Sequence, residues 1–176
     1  MSATMEAILT RRSCRKFKQD MIPRPVLEEI VQAGTYAATG MGRQSPIILA
    51  VTNRAMRDRL SAMNAAVMGK GPENDPFYGA PVVLVVLADR AIGTHLYDGS
   101  LVMGNLMLAA HDHGIGSCWI HRAREEFDSP EGKAILADLG ITGDYEGIGH
   151  CILGYPEEGG IRPAIPRKDG YVHWIE

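Results

Sequence analysis

Four short stretches of this chain carry residue types suited to gripping an anionic, flat ligand. The first is Arg11-Arg12-Ser13-Cys14-Arg15-Lys16-Phe17. Guanidinium groups bind phosphate through paired hydrogen bonds, and a serine hydroxyl adds a further short one. In an extended segment alternate residues face one way, so Arg11, Ser13 and Arg15 address one ligand. Taken alone, such a cluster is more often a solvated basic turn. The second stretch is Thr39-Gly40-Met41-Gly42-Arg43-Gln44-Ser45-Pro46, directly before a predicted strand. Its glycines let backbone approach a flat ligand, and Gln44 both donates and accepts, as a uracil-like ring edge requires. An ordinary helix-to-strand loop has the same look. The third is Gly114-Ile115-Gly116-Ser117-Cys118-Trp119-Ile120, which delivers the polar turn His121-Arg122-Ala123-Arg124 at a strand end, a common place for ligands. Alone it reads as a helix stop followed by a core strand. The fourth, Pro166-Arg167-Lys168, is otherwise a charged turn.

These stretches are spaced by readable elements. Thr4 is expected to cap a short helix whose Met5, Ile8 and Leu9 share a face. Pro23 and Pro25 open a second helix with Val26, Leu27, Ile30 and Val31 inward, interrupted or ended near Gly34. Ile47 to Thr52 reads as a buried strand, and Asn53 starts a helix to about Met68. Gly69 to Tyr78 is a loop. Val82 to Leu87, apolar at every position, reads as a strand covered on both faces. Asp98 is expected to cap the longest helix, apolar on most sides through Ala110 and stopped by Gly114 and Gly116. Ser117 to Ile120 and Ile148 to Leu153 are further strands, with a helix opened by Ser129 and Pro130 between them. Tyr171 to Ile175 is a possible last strand at the tip of an irregular tail. The fold class is α+β: a small central sheet between helices.

At 176 residues the chain is expected to form one domain, 1–176. A net charge of −3 gives no basic face with which to release counterions from nucleic acid. The run Ala80 to Ala88 is too short to span a bilayer, and no signal peptide is read at the N-terminus. Cys14, Cys118 and Cys151 are widely spaced, without a CxxC pair, and suit free thiols in a cytoplasm. His111 and His113 point to different helix faces, so no metal site is expected.

Taken in order, the motifs resemble the nitroreductase family in its short single-domain branch, over nearly the whole length. Arg11 to Phe17 matches the RRSxRxF opening, its most specific signature. The Gln44 loop resembles the second segment, and Phe77-Tyr78-Gly79-Ala80-Pro81 with Val82 to Leu87 resembles the central strand. Asp98-Gly99 through Asn105-Leu106 to Gly114-Ile115-Gly116 resembles the long core helix, and Leu153-Gly154-Tyr155-Pro156 with Arg167 the C-terminal pattern. Departures are Gly42, where asparagine is common, Ser45, where proline is common, and a His121 turn without the Pro-x-Glu-Gly of larger relatives.

The resemblance implies a mixed sheet, a homodimer with an exchanged C-terminal extension, and FMN at the subunit interface. Arg11 and Arg167 would hold the phosphate, with Ser13 on phosphate or ribityl oxygens and Arg12 beside it. Arg15 would lie near the ribityl chain and pyrimidine edge. Thr39, Met41, Gly42 and Gln44 would reach the ring from the partner. His121, Arg122 and Ala123 would line the ring near N5, and Asn64 is a further candidate for the pyrimidine edge. The implied reaction is ping-pong transfer of two electrons from NAD(P)H to a nitroaromatic, quinone or similar acceptor. The cofactor carries the hard step, and the protein supplies placement and charge. Three readings compete with it: dehalogenation or flavin fragmentation on the same scaffold, a redox-sensing flavin binder without turnover, and a plain phosphate-ligand binder. The apolar helix from Leu101 to Ala110 and the alternation of Val172 and Trp174 around His173 also favour a dimer.

Overall fold

The computed structural model describes residues 1–176. Its frame is a four-stranded sheet in the order β1-β2-β4-β3, formed by β1 (Pro46–Val51), β2 (Val82–Asp89), β3 (Gly116–Ile120) and β4 (Tyr145–Gly154). All three strand pairs are antiparallel, where a mixed sheet was expected; one parallel bridge, Ser13 to Ser117, adds the arginine-rich segment to the β3 edge.

The apolar run of β2 serves two cores, as its composition predicts. Val83, Val85 and Leu87 pack with Leu60, Phe77, Phe127 and Ile135 on one face. Val82, Leu84, Val86 and Ala88 pack with Leu27, Ile30, Met103 and Leu106 on the other. Helices α2 (Arg24–Thr35) and α4 (His95–Asp112) therefore cover one side of the sheet. The other side is covered by α3 (Arg54–Val67), α5 (Ala123–Asp128) and α6 (Pro130–Asp138). Gly34 is where α2 crosses α4: a Cβ there would sit 2.6 Å from Leu106 Cδ2. The glycine permits close helix packing and does not break the helix, which runs to Thr35.

Several element ends differ from expectation. Helix α1 (Ala3–Thr10) is capped by Ser2 rather than Thr4, and its Met5, Ile8 and Leu9 are about half exposed. Helix α4 starts at His95, so Asp98 lies inside its first turn and Thr94 takes the cap position. The reason is that the Asp98 carboxylate is occupied by groups outside the helix, described below. Helix α5 and the Tyr145–Gly147 start of β4 are absent from the sequence reading. They meet where Gly147 lies against the Ala123 carbonyl, 2.1 Å from where a Cβ would be. Tyr171 to Ile175 is exposed and forms no strand within the chain, because no strand lies beside it to complete a ladder.

Candidate functional site

Segment 11–17 leaves α1 extended and is stitched on both sides. Cys14 N–H donates to Ser117 O at 2.8 Å, and Arg15 N–H donates to Gly160 O at 2.9 Å. Cys14 and Phe17 point into the core, leaving Arg15 exposed and Arg11 and Ser13 half-buried. Arg12 is partly spent on the helix end: its Nη1 donates to Leu9 O and Arg11 O at 2.8 and 2.7 Å. Arg11 is different, because its buried Nη1 has no acceptor. A buried donor without a partner costs about 1–3 kcal/mol, more when charged, so the site suits an incoming anion. The cysteines stay out of this chemistry. All three are free and buried, and burial pushes the Cys151 thiol up to about 12.

Beside this segment a cleft of about 340 Å³ is lined by Arg15, Asn74, Tyr78, Trp119, His121 and Arg122, among others. Larger grooves of about 640 and 590 Å³ flank β1, but they lack this concentration of cations. His121 is exposed, Arg122 half-buried in the left-handed region at φ 79°, and Ala123 fully buried, so the Ala123 side chain faces the core and not the cleft. Asn64 also departs from its expected place. It is 0% exposed. Its amide donates to His121 O at 2.9 Å and to Glu126, and it accepts from Arg122 Nε at 3.0 Å. Asn64 thus holds the turn from beneath, its amide spent on protein groups. Glu126 and His150 stand next in this buried chain, and because they lie on separate elements no sequence spacing marks them.

The loop after α3 closes one wall of the cleft through Asp75. That carboxylate accepts from Arg57 Nη2 at 2.6 Å, Ser61 Oγ at 2.6 Å, Phe77 N–H at 3.0 Å and Gly79 N–H at 2.7 Å. Burial raises the Asp75 pKa, but these donors outweigh it and hold the carboxyl below its ordinary value. A lowered native pKa contributes stability above the unfolded value, about 3.9, and loses it as pH falls through the folded one. Asp75→Asn is therefore expected to lower stability by about 2 kcal/mol at neutral pH, since Arg57 is left with Asp58 as its only carboxylate. Urea melts should show that deficit shrink on acidification below about pH 4.

The second motif is fastened elsewhere. Gly40 N–H donates to Asp98 Oδ1 at 2.9 Å, and Ser45 Oγ and Thr94 Oγ1 donate to Oδ2 at 2.7 and 3.0 Å. Burial opposes the Asp98 charge, but these bonds hold its carboxyl below the ordinary value. Ser45, one of the departures from pattern, earns its place through this bond. Met41, Gly42 and Gln44 all have positive φ, of 53°, 67° and 50°. They project a tight knuckle in which Met41 is 82% exposed, with Thr39 accepting from Gln44 N–H at its base.

This knuckle and the arginines stand at opposite corners of one chain. The knuckle precedes Pro46, which pairs with Ala88, while Ser13 is in the row Ser117, Leu153, Val82. Six residues along β2 and four strand spacings across give roughly 28 Å. Arg167 is also unconverged within one chain: its Nη2 donates to Ile165 O, and residues 161–176 are exposed. The structure thus brings Arg15, His121 and Arg122 to one cleft, places Arg11, Arg12 and Ser13 on the extended segment that leads to it, and leaves Thr39, Met41, Gly42, Gln44 and Arg167 apart from them.

Comparison with known proteins adds the context. Residues 8–155 match the family model described as "Nitroreductase family". A Bacteroides fragilis nitroreductase crystallised with bound FMN superposes with a TM-score of 0.89 at 28% identity, covering 100% of both chains. An Archaeoglobus fulgidus protein, whose name pairs NADH dehydrogenase with NAD(P)H nitroreductase, is 30% identical over 164 residues, 90% of this chain and 88% of its own. A Methanothermobacter thermautotrophicus protein of the same name is 28% identical over 119 residues, 65% of this chain and 59% of its own length.

Proposed function

Because the chain belongs to the nitroreductase family, we propose that it is an FMN-dependent oxidoreductase that takes two electrons from NAD(P)H and passes them to a nitroaromatic, quinone or similar acceptor. The observation that carries this reading is the unpartnered, buried Arg11 Nη1 beside Ser13, a cationic cradle waiting for a phosphate. Arg11 and Ser13 would hold the FMN phosphate, with Arg12 adding its charge. Arg15 would supply a cation to the negative charge that a reduced flavin carries at its pyrimidine edge. The backbone of the His121–Arg122 turn would stand beside the ring, which leaves the Arg122 side chain without a part in holding the flavin. FMN, when bound, supplies the electron-transfer chemistry itself.

The working unit in this reading is a homodimer. The roughly 28 Å between the knuckle and the arginines is too far for one flavin, so the Thr39–Gln44 knuckle serves the site of a second copy. Tyr97 and Leu101 on α4 are half or more exposed and need cover. So do Ile165, Tyr171, Val172, Trp174 and Ile175 of the tail. Strand β1 pairs only with β2, which leaves it one free edge between two grooves, a seat for Tyr171–Ile175 of the partner by strand addition. Arg167 would then reach the partner's phosphate. No helix is long and apolar enough to cross a membrane. Three buried free thiols suit a cytoplasmic setting.

The test is anaerobic stopped-flow mixing of the flavin-loaded protein with NADH or NADPH. Bleaching of the visible flavin band by at least one of them, and its return on adding a quinone or nitroaromatic, is the expected result. A yellow protein that neither nicotinamide bleaches is a binder or sensor, and the enzymatic reading is then wrong.

A further inference from the structure

Arg122 combines three features that the flavin reading does not use. Its backbone sits at φ 79°, a conformation that costs a non-glycine residue roughly 1 kcal/mol or more. Its Nε is locked onto Asn64 Oδ1 at 3.0 Å, which leaves the two Nη groups as its remaining donors at the cleft. The lock is itself locked. Asn64 is fully buried and bonded to His121 O and Glu126, and Glu126, 1% exposed, stands with Oε2 3.2 Å from His150 Nε2.

The cleft around it is positive. Arg15 and Arg122 supply its charge, and its Asp75 is committed to four donors. Arg11, Arg12 and Ser13 answer the phosphate, and Arg15 the pyrimidine edge, so one oriented guanidinium is left over. Tyr78 and Trp119 add aromatic surface beside it.

We propose that Arg122 is a specificity-determining residue that selects flat aromatic acceptors bearing a carboxylate, and that Asn64 and Glu126 are its positioning residues. This rests on the proposed oxidoreductase function. The planar fork of Arg122 pairs with the carboxylate while the acceptor's ring lies in the cleft.

The probes are benzoate and its neutral isostere benzamide, titrated into flavin-loaded protein and read by the flavin band and by tryptophan fluorescence, to which Trp119 contributes. Wild type should bind benzoate about tenfold or more tightly than benzamide, the weight of one charge-assisted pair. Arg122→Gly suits the left-handed backbone, so the turn persists. It should bring the benzoate preference of the flavin-loaded protein to near parity, and should lower kcat/KM for para-nitrobenzoate relative to nitrobenzene by the same factor, ratios that a general weakening of the flavin site would not move. Arg122→Lys, which keeps charge but loses the fork and the Asn64 bond, should fall between. An unchanged benzoate preference in Arg122→Gly overturns the inference, and so does a loss of FMN affinity in its place, which would give the Arg122 side chain to the flavin. Failure of the parent reading looks different: nicotinamides would not bleach the flavin, while the fluorescence titration would still decide the role of Arg122.

Discussion

Replacing Arg11 by alanine is expected to weaken FMN binding roughly a hundredfold, the loss of a paired guanidinium–phosphate contact of about 3 kcal/mol. Arg11 Nη1 is buried and has no acceptor, at the exit of α1 where Cys14 and Arg15 are pinned by Ser117 and Gly160. An unsatisfied cation does not stabilise the fold around it. Arg11→Ala should therefore leave the melting temperature of the flavin-free protein unchanged or slightly raised, and should remove most of the stabilisation that FMN confers. Arg11→Lys keeps a point charge but not the fork, and should bind FMN about tenfold more weakly than wild type. Fluorescence quenching of free FMN measures both constants. A flavin-free variant that melts well below wild type would mean that Arg11 is a structural residue.

A chain ending at Ile161 should lose its dimer and its flavin together. Beyond Ile161 the tail makes few contacts with its own chain: Arg167 bonds Ile165 O, and Lys168 lies 5.6 Å from the Tyr171 ring. Truncation therefore costs the isolated fold almost nothing. Its effect would come through the proposed partner, where Ile165, Tyr171, Val172, Trp174 and Ile175 would find their cover. Each buried large apolar side chain is worth about 1.5–3 kcal/mol before the ordering of the tail is discounted. Dimer dissociation should strengthen by more than about a hundredfold. Removing Arg167 with the tail should weaken FMN further. A truncated chain that remains a tight dimer would show that the tail is not exchanged and that α4 alone makes the contact.

How much of this was legible in the sequence depended on whether the signal was local. The Arg11–Phe17 cluster is dense enough in charge to stand out, and β2 is marked by unbroken apolar residues that both cores use. Ser129 and Asn53 announce their helices as caps, and the structure shows those bonds, to Gly132 N–H and Met56 N–H. Asp98 misleads for the same reason: it is a good capping residue in a plausible place, but its partners Gly40 and Ser45 lie far back in the chain. The buried line from Arg122 through Asn64 and Glu126 to His150 joins a turn and three elements, and no spacing rule links them. Helix α5 is a short turn of charged residues, and Gly147, which admits it to the sheet, reads as a loop residue until the Ala123 carbonyl is seen against it. The expected strand Tyr171–Ile175 has the right alternation but no partner in its own chain.

In the proposed dimer each chain holds one flavin, and only where two chains meet. Analytical ultracentrifugation of the FMN-loaded protein, followed in the visible flavin band, tests this directly. The account predicts that the flavin sediments with a particle of twice 19.1 kDa, at one FMN per chain, and that little of it travels with the single chain. Flavin sedimenting in full stoichiometry with the 19.1 kDa chain would show that one copy suffices, and the shared site would have to be abandoned.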